Sequence, residues 1–275
     1  MTDVAALIAD LACARMEAGR PHVLGLCGPQ GSGKSTAAEA AVRLLSARGV
    51  HAAVLALDDL YLGRAARAEL AGRVHPLLAT RGPPGTHDVS QGISLIAAWK
   101  AGGIARPPRF DKIADDRRPG PGPRLGPLDL LIFEGWCVGA RPQPTAALAT
   151  PINALEAECD PDGRWRNYVN DRLAADYQRL FAPIDSLALL LAPDFDTVFR
   201  WRAEQEETNR RRHDPARGGR AMTAEEIERF VRHYERLTRH IAAEMPARAD
   251  LVIRLDAGRR PISVRYPQSG DQPGT

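Results

Sequence analysis

Gly28-Pro29-Gln30-Gly31-Ser32-Gly33-Lys34-Ser35 decides how this chain folds. The stretch satisfies G-x-x-x-x-G-K-[ST] at every position, the pattern of a phosphate-binding loop. Gly28, Gly31 and Gly33 free the backbone so that the N–H groups of Gln30, Ser32 and their neighbours turn inward around phosphates. The helix that follows adds the positive end of its dipole. Lys34 is placed to reach the β- and γ-phosphates, the Ser35 hydroxyl to meet Mg²⁺, and Thr36 to reach the α-phosphate. The flanks agree: an apolar run at 22–27 reads as a buried strand, and a helical pattern runs from Lys34 to Ala47 until Gly49 stops it. No Asn-Lys-x-Asp guanine-reading motif occurs, which favours ATP over GTP.

Working outward, residues 3–18 carry apolar residues at helical spacing (Val4, Leu7, Ile8, Leu11). Apolar runs at 52–57, 128–133, 187–192 and 251–255 supply four more strands, and 262–266 is a candidate edge strand outside that count. Asp88 with Gln91, and Thr223 with Glu226, have capping-box spacing ahead of helices. Helices are also expected at 151–182, 194–212 and after Thr223, where Ile227, Phe230, Val231, Tyr234, Leu237 and Ile241 trace one face. Short apolar strands alternating with helices imply an α/β, three-layer P-loop fold around a mostly parallel five-stranded sheet. The first four strands read as buried on both faces. One domain is expected over 1–266, with an acceptor-side insertion near 60–127, an Arg-rich helical lid near 200–222 and a disordered tail at 267–275.

Composition narrows the class. A net charge of +3 over 275 residues is too small to argue for a nucleic-acid or membrane partner. Cys13, Cys27, Cys137 and Cys159 lack metal-ligand spacing and read as reduced, packed thiols. The start of the chain lacks a signal-peptide pattern, and no apolar run is long enough to span a bilayer. The expectation is a cytoplasmic enzyme, monomeric or homodimeric. Only three of the 37 basic residues are lysines, so Lys34 and Lys112 in unusual loops stand out.

In open α/β sheets ligands sit beyond the carboxyl ends of the strands, and acids fall there. Asp58 and Asp59 end the second strand, and Glu134 ends Leu130-Leu131-Ile132-Phe133. Phosphoryl transfer needs charge neutralisation and a group to orient or deprotonate the attacking hydroxyl. Asp58 is assigned as general base and Glu134, with Ser35, to Mg²⁺. Asp59 divides evenly between a turn cap and a substrate contact. Residues 200–220 hold seven arginines against four acids, among them Arg200, Arg202, Arg210, Arg211, Arg212, Arg217 and Arg220. The cluster reads as a lid that places guanidinium groups, Arg202 among them, on the transferring phosphoryl, or else as a solvated face. Arg81-Gly82-Pro83-Pro84-Gly85-Thr86-His87-Asp88 and Pro108-Arg109-Phe110-Asp111-Lys112 read either as turn chemistry or as an anion-accepting acceptor site.

These stretches together resemble the D-glycerate 3-kinase family, in the phosphoribulokinase/uridine kinase group of P-loop kinases. The similarity rests on Leu57-Asp58-Asp59-Leu60-Tyr61-Leu62, Arg81–Asp88, Phe110-Asp111-Lys112 and Phe133-Glu134-Gly135-Trp136. It continues through Val169-Asn170, Leu173 and Tyr177, then Val198-Phe199-Arg200-Trp201-Arg202 and Gln205-Glu206 before Met222-Thr223. The resemblance implies ATP and Mg²⁺, transfer to a hydroxyl of D-glycerate, and 3-phosphoglycerate as product. It places Asp59, Tyr61, Arg81, Thr86, His87, Asp88, Arg109, Asp111 and Lys112 on the acceptor side. A sister kinase for pantothenate, a nucleoside or a sugar phosphate remains open, as does a non-catalytic nucleotide-binding regulator.

Overall fold

The computed structural model describes residues 3–120, 122–212 and 222–266, with backbone alone for 209–212. The expected tail at 267–275 lies outside them. Helix α1 (Val4–Arg15) is capped by Asp3, whose carboxylate accepts from the Ala5 N–H, and buries Leu7, Ile8 and Leu11. Strand β1 (His22–Cys27) leads into the glycine-rich loop, and α2 (Lys34–Ala47) starts at Gly33. Strand β2 (Ala52–Ala56) ends one residue earlier than expected because Leu57–Leu60 curls into a 3₁₀ turn carrying Asp58 and Asp59.

Between β2 and the next strand of the main sheet come α3 (Arg64–Arg73), α4 (Val89–Lys100) and a small hairpin of β3 (Phe110–Asp111) and β4 (Asp116–Arg117). Strand β5 (Leu130–Gly135) follows, then α5 (Ala154–Cys159), α6 (Arg164–Arg172), a π turn and α7 (Gln178–Phe181). The chain closes with β6 (Ser186–Leu191), α8 (Phe195–Arg212), α9 (Ala224–Glu244), β7 (Leu251–Leu255) and β8 (Pro261–Arg265).

Among the described residues the main sheet has six strands, in the order β2-β5-β1-β6-β7-β8. Five run parallel and β8 returns antiparallel beside β7. The five-strand expectation is therefore one short. A tight turn at 256–260 folds β8 back, and as an edge strand it alternates and leaves Ile262 66% exposed, so it lacks the apolar run that marked the others. Strands β1, β5 and β6 are buried on both faces, as read. Strand β2 is not: it is the opposite edge, and most of its residues are half-buried.

One apolar cluster lies between the sheet and α4, α7 and α9, with Trp99, Phe133, Tyr177 and Leu237. The other, with Leu24, Ile132 and Trp201, lies between the sheet and α1, α2 and α8. The chain crosses to one side of β1 for β2 and β5 and to the other for β6 and β7. That reversal opens a crevice at the carboxyl end of β1. No helix among the described residues is long and apolar enough to cross a membrane.

Candidate active site

The glycine-rich loop fills that crevice. Gly31 and Gly33 have φ of +73° and +84°, a region that side-chain-bearing residues rarely adopt. A Cβ on Gly31 would lie 2.5 Å from Trp201 Cβ, so α8 packs directly against the loop. From the other side Arg259 Nε donates to Gly31 O at 2.6 Å while its guanidinium lies over the Trp201 ring. Ser32 Oγ is buried without a hydrogen-bond partner. A buried hydroxyl left unpaired is costly, and a phosphate oxygen would satisfy it. The loop therefore fits a nucleotide.

A cavity of about 620 Å³ opens beside the loop. Gln30, Lys34 and Ser35 line it from the phosphate side; Asp58, Tyr61, Arg81 and Lys112 line it from the other. Asp58 Oδ2 pairs with Lys112 Nζ at 2.6 Å, and Asp58 Oδ1 accepts from Tyr61 Oη at 2.7 Å. Burial alone would raise the Asp58 carboxyl, but Lys112, Lys34 and these hydrogen bonds outweigh it and hold it far below the ordinary range. In turn the Asp58 charge holds Lys112 above its usual value, although burial works the other way. Glu134 is the opposite case. Burial pushes it above its ordinary value despite Lys34, while Asp58 adds repulsion. Its Oε1 accepts from Ser35 Oγ at 2.8 Å.

Among the described residues no group of three His, Cys, Asp or Glu side chains could hold a metal by itself. Mg²⁺ needs no such cage, since it is commonly held by one or two protein oxygens together with water and substrate phosphates. The adjacent Ser35 hydroxyl and Glu134 carboxylate fit that pattern.

Other residues expected at the site lie elsewhere. Thr86 is fully buried: its Oγ1 accepts from the Gly82 N–H and donates to Pro83 O, closing the turn. His87 Nδ1 meets Tyr177 Oη, and burial lowers its pKa to about 3. Asp88 caps α4 by accepting from the Gln91 N–H and pairs with Arg117. The reciprocal arm of its capping box is absent, because the Asp88 N–H donates to Leu60 O. Asp59 accepts from Arg109 and from the Phe110 N–H, tying β3 to the turn after β2. Asp111 accepts from the Ile113 and Ala114 N–H groups. None of Asp59, Thr86, His87, Asp88, Arg109 and Asp111, nor Thr36 on the exposed first turn of α2, lines the cavity. They build the frame around it.

The frame is aimed at Arg81. Tyr234 Oη on α9 donates to Arg81 O at 2.7 Å, and Trp136 Nε1 donates to Gly82 O at 3.0 Å. Gly82 sits at φ +116°, where a Cβ would fall 1.8 Å from Tyr234 Oη. From α8, Arg202 lines the cavity, paired with Glu206 at 2.8 Å and lying over the Phe230 ring. Arg200 instead donates to Thr197 Oγ1. The side chains of Arg210, Arg211 and Arg212, and all of Arg217 and Arg220, lie outside the described residues. Sequence reasoning missed Arg64, Asp115 and Tyr234 in the lining. The Tyr234 position was read correctly as core-facing, and nothing in its spacing signals that its hydroxyl reaches Arg81.

Comparison with known proteins is consistent with this geometry. The family model described as methylmalonyl Co-A mutase-associated GTPase MeaB matches residues 5–61, the segment around the phosphate loop. The chain is 36% identical over 233 residues to the uncharacterized kinase mug58 of Schizosaccharomyces pombe, covering 78% of this chain and 79% of that one. It is 30% identical over 265 residues to the chloroplastic D-glycerate 3-kinase of Arabidopsis thaliana; this covers 88% of the chain but 54%, about half, of the plant protein. In fold it matches D-glycerate 3-kinase from Cryptococcus neoformans var. grubii with a TM-score of 0.74 at 24% identity, covering 96% of each chain.

Proposed function

We propose that this chain, which belongs with the kinase mug58 in one family and is similar to D-glycerate 3-kinases, transfers the γ-phosphoryl group of ATP to a hydroxyl of D-glycerate, giving 3-phosphoglycerate and ADP. The observation that carries this reading is one cavity that joins Lys34 and Ser35 to the Asp58–Lys112 pair and to Arg81. Lys34 lies against the β- and γ-phosphates and stabilises charge on the transferring group. Ser35 and Glu134 would hold Mg²⁺, which when bound neutralises charge on the β- and γ-oxygens. Asp58 faces the acceptor hydroxyl. The hydroxyl oxygen of the acceptor forms the new bond to γ-phosphorus as the bond from γ-phosphorus to the β–γ bridging oxygen breaks and ADP leaves, and the hydroxyl proton passes to Asp58.

The depressed pKa of Asp58 makes it a weak base, but one that is ionised and ready to accept the hydroxyl's hydrogen bond before transfer begins. That suits a loose transition state, in which the hydroxyl must be oriented early and loses its proton late. Arg81 and Lys112 supply positive charge for the acceptor's carboxylate. A cytoplasmic location fits four free cysteines, with burial holding the Cys27 thiol up at about 12.

The test is ADP release against a panel of acceptors: D-glycerate, pantothenate, uridine and a sugar phosphate. D-Glycerate should give the highest kcat/KM. Faster turnover of pantothenate or uridine would overturn the assignment.

A further inference from the structure

We propose that Arg67 and Arg81 form the binding site for the acceptor's carboxylate, and that the Asp115 side chain occupies this site as an internal stand-in until the acceptor displaces it. The inference rests on the hydroxycarboxylate reading above and adds which residues take the carboxylate and what guards them.

The Asp115 carboxylate is divided between two guanidinium groups. Oδ2 accepts from Arg67 Nη2 at 2.6 Å and Oδ1 accepts from Arg81 Nη1. Both guanidiniums lie over the Phe110 ring, at 5.6 and 5.7 Å, and Phe230 lies against Arg81 at 5.7 Å. Two cations held this close in a largely apolar setting require an anion. The geometry is that of a planar carboxylate, one oxygen per cation.

Two features distinguish Asp115 from a permanent counter-ion. Arg67 is 1% exposed, yet its Nε and Nη1 atoms have no hydrogen-bond partner with Asp115 in place. The Asp115 side chain is 34% exposed and lines the same cavity as Asp58 and Lys112. The surrounding turn is held without the Asp115 carboxylate: Asp111 accepts from Ile113 and Ala114, Asp116 accepts from the Arg64 N–H, and Arg67 Nη2 also donates to the Asp115 backbone carbonyl at 2.9 Å. The side chain can therefore rotate out while the backbone stays.

The exchange has a consequence for specificity. An acceptor bearing a carboxylate replaces one anion with another and leaves both arginines paired. A neutral acceptor such as a nucleoside cannot, so Asp115 stays and narrows the cavity. Occupation by Asp115 also weakens apparent acceptor binding by the fraction of time the clamp is filled.

The experiment uses the full chain without nucleotide and measures binding of D-glycerate, acetate, uridine and inorganic phosphate by calorimetry and thermal shift. Asp115→Ala should bind D-glycerate about tenfold more tightly than the unaltered protein. Acetate should raise its Tm and leave that of the unaltered protein unmoved. Asp115→Asn keeps the side-chain volume and tests the same point should the alanine variant fold poorly. Arg67→Lys added to either variant should abolish the gain.

Unchanged or weaker glycerate binding in a folded Asp115 variant would overturn the proposal, as would a gain in phosphate affinity on substitution larger than the gain for either carboxylate. The two readings fail separately. Acetate binding to the variant without glycerate turnover by the unaltered enzyme would keep the clamp and remove the glycerate assignment. Glycerate turnover with no carboxylate gain in either variant would do the reverse.

Discussion

The two halves of the cavity are built on different principles. The phosphate half is backbone: one run of eight residues, a strand before it and a helix after it, with N–H groups as the ligating atoms. The acceptor half is side chain: Asp58 from the turn after β2, Arg81 from the loop before α4, Lys112 from the β3–β4 hairpin and Tyr234 from α9. A contiguous backbone site is specified locally and tolerates change elsewhere. A site gathered from four segments depends on the straps that hold those segments in place, here Tyr234 and Trp136 on the Arg81-Gly82 backbone. Substitutions in the first half should reduce turnover outright, and substitutions in the frame of the second should act on the acceptor alone.

The largest effects test whether the halves act separately. Lys34→Ala should lower kcat by about 10³-fold or more, as expected when a charge aimed at the transferring group is removed. Asp58→Asn should lower it by roughly 10²–10⁴-fold. The two differ in binding: calorimetry should show ATP affinity weakened by Lys34→Ala and preserved by Asp58→Asn. Equal loss of ATP affinity in both variants would mean that Asp58 serves the phosphate half, and the division would collapse.

The same division explains what could be read from sequence. The phosphate half was legible because its residues are consecutive and its motif carries its own geometry. Asp58 and Glu134 were legible at one remove: once the loop fixed the end of the sheet where ligands sit, acids at strand ends became candidates. Thr86, His87 and Asp88 stood out as a pattern, yet their side chains are spent on closing a turn, docking on Tyr177 and capping α4. Arg67 looks like any arginine on a short helix, and Asp115 like any acid in a turn. Only the tertiary fold brings them together across 48 residues. In the fold itself the runs buried on both faces were plain, whereas β8 was hard to count because an edge strand alternates.

A smaller effect sharpens the role of the straps. Gly82→Ala puts a methyl group where Tyr234 Oη now lies, and does so at a positive φ. The cost should be about 2–4 kcal/mol of stability, combining backbone strain with overpacking. In the protein that remains folded, KM for the acceptor should rise while KM for ATP holds. Tyr234→Phe in the same chain should recover little of the stability, because the ring carbons Cζ and Cε1 would still lie 2.4 and 2.6 Å from the new methyl group. A proportional rise in both KM values would show that the strap serves the whole cavity.

The frame should also make stability depend on acidity. Burial holds His87 at about 3 and His233 at about 4, against 6.5 for a free imidazole. Both are neutral in the fold and take up protons only on unfolding, so the unfolded state binds more protons below pH 6.5 and stability falls as pH drops through that window. From pH 7 to pH 5 each should contribute on the order of 1–2 kcal/mol of loss, read from urea denaturation at several pH values. Asp58, with its carboxyl held low by Lys112 and Lys34, adds loss of the same sign only in stronger acid. His87→Asn should be less stable at pH 7 but show a flatter profile below 6.5. An unchanged slope would mean that His87 is not the group responsible.

The smallest effect belongs to α9, which carries Tyr234 but begins far from it. Thr223 caps the helix by accepting from the Glu226 N–H while Glu226 Oε2 accepts from the Thr223 N–H, both arms of the capping box being formed. Thr223→Ala removes one arm and should cost about 1 kcal/mol, with Thr223→Ser close to neutral. Loss of a cap frays the first turn, whereas Tyr234 lies three turns further in, edge-to-face with Trp136 and anchored on Arg81 O. Stability should therefore fall slightly while acceptor KM stays where it was. The contrast with Gly82→Ala is the point of the pair: the same helix is touched, but only the change at the strap reaches the acceptor. If Thr223→Ala raised acceptor KM as much as Gly82→Ala, the whole of α9 rather than its one hydroxyl would be positioning Arg81.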